Sequence, residues 1–195
     1  PARRAGAPRP WLRSRRPLNP MTSRRAFASL LLAAGLAALA ASTAAAAQSK
    51  VLYDRDSPFG PVIVTEEDGL RTLWFERGGA RQSVVKLGDP AHLELPYAAT
   101  ALCGLALNPN PARILIVGLG GGSLPMALRH HYPEAVIDAV DINPDVVTVA
   151  REHLGFREDA RMKAHVADGR AFIERTSVPY DLIFLDAFGA DSVPT

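Results

Sequence analysis

Residues 114–125 read ILIVGLGGGSLP: four apolar residues, glycines at 118, 120, 121 and 122, and a proline at 125. A strand without a single polar residue is buried on both faces, as the central strand of a parallel sheet is. A backbone stripped of side chains directly after it has to lie close to something, either a ligand or a neighbouring element of the same chain. Pro125 is compatible with a helix only in its first turn. The segment therefore reads as strand, tight turn, helix, and it limits the fold to architectures built from that unit.

The downstream sequence repeats the unit. After Pro111 come a strand (ARILIVG), a helix (SLPMALRHHY), a second strand (AVIDAVDI) and a helix (NPDVVTVAREHL) opened by Asn143 as N-cap with Pro144 at the first helical position. A third strand (MKAHVAD), a helix (GRAFIERT) and a fourth strand (YDLIFLDAF) follow. Strands alternating with helices predict an α/β fold with a Rossmann-like, doubly wound parallel sheet. Upstream, residues 51–88 have a different texture. Short β-branched and aromatic runs (PVIVTEED, LRTLWFE, RQSVVKL) are separated by turn signals at DG and RGGA, which predicts a small N-terminal antiparallel β unit. DPAHLELPYAATALCGLAL then reads as a helix, with Asp89 as N-cap and Pro90 in the first turn. The division expected is 51–88 for the β unit and 89–195 for the α/β domain.

Cys103, the one cysteine, rules out an internal disulfide framework and a cysteine-rich zinc site, and reads as a buried, inert thiol. The five histidines show no ligand spacing, so no metal site is expected. Charge is unevenly placed. Residues 1–50 carry eight Arg and one Lys and no acid; removing those from the 22 basic residues leaves 13 against 20 acids, a net of −7 for the rest. An acidic body disfavours a nucleic-acid partner, which needs cations to replace phosphate counterions, and suits a small cationic substrate.

Residues 1–20 are Arg- and Pro-rich and read as a disordered tail or as an upstream stretch translated in error, with Met21 as the start. Residues 21–47 have the form of a secretory signal peptide: Arg24 and Arg25, an Ala/Leu-rich stretch, then small residues fitting a cleavage site. SRRAF resembles a twin-arginine signal, which predicts export to the periplasm. The rival is an uncleaved membrane anchor over residues 27–47, but its Ala-rich composition drives insertion poorly. A membrane is a partner only in that case.

In doubly wound sheets ligands sit outside the carboxyl ends of the strands, where strand order reverses. Gly118 to Gly122 follow the first strand, Asp141 ends the second, Asp168 the third and Asp186 the fourth. Four features at consecutive strand ends define one crevice. The plainer reading gives the glycines to a turn and the acids to caps, and Asp168 could cap the helix starting at Gly169. A dinucleotide fingerprint would need glycine at 123, where Ser123 stands, although Asp141 lies near the spacing for a ribose contact. An adenosine held without pyrophosphate needs glycines only for close approach of the backbone.

ILIVGLGGGSLP, AVDINPDVV, ADGRAF and YDLIFLDAF, preceded by a β unit containing RQSVV, resemble the spermidine synthase family of polyamine aminopropyltransferases from about Val51 to Thr195. The resemblance implies a class I S-adenosylmethionine-dependent methyltransferase fold. It implies decarboxylated S-adenosylmethionine or S-adenosylmethionine as donor, a small-molecule amine as acceptor, and no metal. It places Gly118, Gly120, Gly121 and Gly122 against the donor, with Gln82 as a further donor contact. Asp141 falls on the ribose, Asp168 and Gly169 on the adenine, and Asp186 at the proton acceptor. A homo-oligomer is compatible with it.

The acceptor side departs from the family pattern. Gly121 stands where the family has an acid, Leu93, Glu94 and Leu95 stand for its Tyr-His-Glu stretch, Gly189 for a second acid, and Gly60 for an early Gln. Asp191 could stand in for the second acid. Because the family continues past the fourth strand, the chain reads as truncated there, with LIFL as an apolar edge. The reading is a spermidine synthase-like transferase. The rivals are a methyltransferase on the same fold, a non-catalytic exported nucleoside- or polyamine-binding protein and, last, an oxidoreductase.

Overall fold

The computed structural model describes residues 49–187. The proposed signal or anchor at 21–47, the upstream segment 1–20, and Gly189 and Asp191 lie outside the described residues.

Four antiparallel strands open the described chain: β1 (Lys50–Ser57), β2 (Gly60–Glu67), β3 (Leu70–Trp74) and β4 (Arg81–Lys86), paired in that order. A parallel sheet follows, made of β5 (Arg113–Val117), β6 (Val136–Asp141), β7 (Met162–Val166) and β8 (Leu182–Leu185), in the order β7-β6-β5-β8. The chain moves outward from β5 to β7 and then returns to the other side of β5, so strand order reverses beside β5. The helices are α1 (Pro96–Ala101), α2 (Ser123–His131), α3 (Pro144–Glu152) and α4 (Gly169–Arg175).

The periodicity of the sequence accounts for the layers. On β5, Ile114 and Ile116 face one way and join Ile137, Ala139, Met162 and Phe184 from the other strands under α2 and α3. α4 packs on the opposite face, where the ring of Phe172 lies 4.9 Å from that of His165 on β7. Helices on both faces make the sheet doubly wound, as the alternation predicts. α3 serves two cores: Val147 and Ala150 pack on the parallel sheet, while Val146 and Val149 pack with Val62, Val64, Leu73 and Val85 of the antiparallel sheet. A valine run on a helix ordinarily has one apolar stripe; here both sides are apolar because both are covered.

Polar ties hold the parallel strands in register below the crevice. The Asp138 carboxylate on β6 accepts from His165 Nε2 at 2.8 Å and from the Tyr180 hydroxyl at 2.9 Å, with an Arg113 nitrogen at 3.5 Å. Asp181 Oδ2 accepts the Ala112 and Arg113 N–H groups, both at 2.8 Å, pinning the entry to β8 against the start of β5.

Three sequence expectations need correction. The strand reading missed β1, whose KVLYDRDS has too many charges for an apolar run; it is an edge strand, so much of it faces water. The helix expected from Asp89 begins only at Pro96, after a non-helical stretch. The residue before a proline is pushed out of the helical region, and Leu95 has φ −85° and ψ 128°. Pro96 therefore starts the helix instead of continuing one. The same helix tightens into a 3-10 helix over Leu102–Ala106, in which Leu102 and Leu105 turn to the core and Cys103 is exposed, not buried.

Candidate functional site

A crevice of about 820 Å³ opens where the strand order reverses. Its floor is the carboxyl ends of all four parallel strands, and its far wall is the antiparallel sheet with Tyr97. The strand ends are laced together by the backbone. Gly118 N–H donates to the Val140 carbonyl at 2.7 Å, Asp186 N–H to the Val117 carbonyl at 2.7 Å, and Ala167 N–H to the Asp141 carbonyl at 3.0 Å. These bonds carry three carboxylates and the glycine turn to one place.

Of the residues singled out from sequence, Gln82, Gly118, Gly120, Asp141, Asp168, Gly169 and Asp186 line this crevice. Gly121 and Gly122 do not. A Cβ on Gly121 would lie 2.7 Å from Ser83 Oγ, and one on Gly122 would lie 2.7 Å from the Phe156 ring. Gly118 faces the chain itself: a Cβ there would be 2.2 Å from the Asp186 carbonyl oxygen. Much of the glycine run is thus bare because other parts of the protein lie against it. Ser123, which breaks the dinucleotide pattern, is buried with its Oγ 3.3 Å from Ser83 Oγ, joining α2 to β4.

Asp141 is held on both carboxylate oxygens, accepting the Leu119 N–H at 3.0 Å and the Asn143 N–H at 2.9 Å. Burial raises its pKa above the usual carboxylate range, and the backbone donors around it work against that shift. The Gly120 N–H also reaches this carboxylate, so three backbone donors converge on it. Asp168 caps α4, accepting the Ala171 N–H at 2.8 Å through Oδ1. Gly169 is bare because Val117 Cγ1 would lie 2.4 Å from a Cβ there.

Asp186 is the carboxylate best placed to exchange a proton. Burial pushes its pKa up to about 6, with the Tyr97 hydroxyl acting in the opposite sense. Tyr97 is pushed up to about 12 by burial and by the Asp186 charge, so it stays a neutral donor. Its single hydroxyl proton is shared with the Gln82 carbonyl, 3.1 Å away, which fixes it beside Asp186 and gives Gln82 a backbone role at the site. The sequence reading missed Tyr97, having aligned the corresponding stretch at Leu93 to Leu95. The signal was there: an aromatic residue immediately after the proline that starts α1. A carboxylate that titrates near neutrality in a half-enclosed crevice can take a proton from an ammonium and attract that cation.

Residues 99–193 match the family model of the spermine/spermidine synthase domain. The polyamine aminopropyltransferase of Vibrio vulnificus is 37% identical over 153 residues, covering 75% of this chain and 51% of that protein. The eEF1A lysine and N-terminal methyltransferase of Homo sapiens is 38% identical over 116 residues, covering 53% of this chain and 17% of that protein. The crystal structure of a probable spermidine synthase from Corynebacterium glutamicum shares the fold, with a TM-score of 0.60 at 21% identity over 76% of this chain and 54% of that one. The chain spans about half the length of the aminopropyltransferase it matches.

Proposed function

We propose that the chain, whose residues 99–193 match the spermine/spermidine synthase domain model, is an aminopropyltransferase-like enzyme that binds a nucleoside sulfonium donor and alkylates a small amine. The observation that carries this reading is Asp186, a carboxylate with a raised pKa at the strand end facing the crevice. An amine nucleophile is protonated at neutral pH. Asp186 takes that proton, the freed nitrogen lone pair attacks the carbon next to the sulfonium, and the carbon–sulfur bond breaks to leave a neutral thioether. Asp141, which lines the crevice at the end of β6, is assigned to the ribose, and Asp168 and Gly169 to the base. Decarboxylated S-adenosylmethionine is the donor proposed.

Methyl transfer is the second reading, supported by the 38% identity to a lysine and N-terminal methyltransferase. The two differ in product. Incubating the full chain with an amine mixture and each donor, then separating the nucleosides chromatographically, is expected to give methylthioadenosine from the decarboxylated donor. Formation of S-adenosylhomocysteine alone would move the assignment to methyl transfer, and absence of both would overturn an enzymatic role.

We also propose export through residues 21–47, on the strength of Arg24 and Arg25 ahead of the Ala-rich stretch. Sequencing the N-terminus of the mature protein is expected to find a start near Gln48. A mature chain retaining Met21 would favour the anchor.

A further inference from the structure

The turn between β1 and β2 carries an aromatic residue that the core does not use. Phe59 is 54% exposed and lines the crevice. An exposed ring on a two-residue turn would ordinarily be free to move, yet this turn is fastened on three sides by one hydroxyl. Ser57 Oγ donates to the Gly60 carbonyl at 2.7 Å, accepts the Phe59 N–H at 3.1 Å, and accepts Asn143 Nδ2–H at 2.8 Å. That is the full hydrogen-bonding capacity of a serine.

Asn143 is equally committed. It is 5% exposed, its Oδ1 accepts the Asp145 N–H at 3.0 Å as the cap of α3, and its own N–H donates to Asp141 Oδ1 at 2.9 Å. The side-chain amide has one orientation that satisfies both partners. A continuous path of short hydrogen bonds therefore runs from Asp141 through Asn143 and Ser57 to the backbone of Phe59. The residue assigned to the ribose and the ring at the crevice wall are set by one network.

We infer that Phe59 covers the nucleoside half of the crevice, packing its ring on the bound nucleoside, and that the Ser57–Asn143 hydrogen bond is a positioning contact that presets the ring. The inference rests on the nucleoside-donor reading above. Presetting matters because a ring already in place loses little freedom when the ligand arrives. A purine presents an apolar face to such a ring, and stacking of this kind is sequence-independent chemistry available to any adenosine derivative.

The test is calorimetric titration of the full chain with adenosine and with S-adenosylhomocysteine. Phe59→Ala is expected to weaken both about tenfold, and Phe59→Tyr to restore wild-type affinity. Ser57→Ala is expected to weaken adenosine several-fold when Phe59 is present and by less than twofold in the Phe59→Ala background. A merely structural serine would give the same factor in both backgrounds, so independent effects would overturn the positioning role. Adenosine affinity unchanged in Phe59→Ala overturns the cover. If the wild-type chain binds neither nucleoside, the nucleoside-donor reading itself falls, an outcome distinct from a wild type that binds and a variant that binds equally well. Phe59 is exposed, so thermal melting of the two Phe59 variants is expected to match the wild type.

Discussion

Asp186→Asn is expected to lower turnover by about 10²–10⁴-fold, the range for a positioned general base. The amide keeps the shape and the hydrogen bond from Tyr97 but cannot accept a proton. Donor affinity should change little, because the donor is assigned to Asp141, Asp168 and the glycine turn. The pH profile carries the sharper information. With Asp186 titrating at about 6, the wild-type rate should fall tenfold per unit as pH drops below that value and level off above it, because only the ionised carboxylate accepts a proton. The variant should lose that acid limb. Tyr97→Phe should move it upward, since the hydroxyl stabilises the charged carboxylate. An Asp186→Asn enzyme that makes methylthioadenosine at the wild-type rate would remove Asp186 from the chemistry.

Gly118→Ala is expected to cost about 2–5 kcal/mol, combining overpacking with the strain of a side chain at positive φ. Gly118 has φ 103°, and a methyl group there would meet the Asp186 carbonyl oxygen at 2.2 Å, a backbone atom that cannot swing aside. Gly120 is also at positive φ (53°), but a Cβ there would lie 3.5 Å from Ser83, an ordinary contact, so Gly120→Ala carries the backbone strain without the overpacking. Chemical denaturation of the two variants should therefore separate them clearly. Equal loss of stability in Gly118→Ala and Gly120→Ala would mean that β5 and β8 part more easily than their packing indicates.

How far the fold could be read from sequence depended on whether a segment's partners were nearby in the chain. The parallel strands and the helices between them announce themselves through the apolar runs of β5 and β8, through strand–helix alternation, and through Asn143 and Asp168, caps whose bonds span two or three residues. β1 does not, because its charges face water from an edge position. The false helix over 89–95 came from reading Asp89 and Pro90 as a start signal while Pro96 was the one that acts.

Candidate-site residues at strand ends were legible for a similar reason: topology fixes where a strand ends. Phe59 was not, since its place beside the crevice depends on contacts across the sheets, and the signal for Tyr97 was obscured by placing the start of its helix at Asp89. The glycines were legible as bare backbone, but sequence could not say that Ser83, Phe156 and Asp186 are what lie against three of them.

The two-sided apolar surface of α3 bears on how such a protein can be rearranged. Val146 and Val149 belong to a core built with β2, β3 and β4, while Val147 and Ala150, on the same two turns, belong to the parallel sheet. The antiparallel sheet is therefore no removable module. Recombination at the junction near Gly88 would hand the recipient a helix with an oily back, so a new N-terminal cap could be grafted on only together with a rewritten outer side of α3.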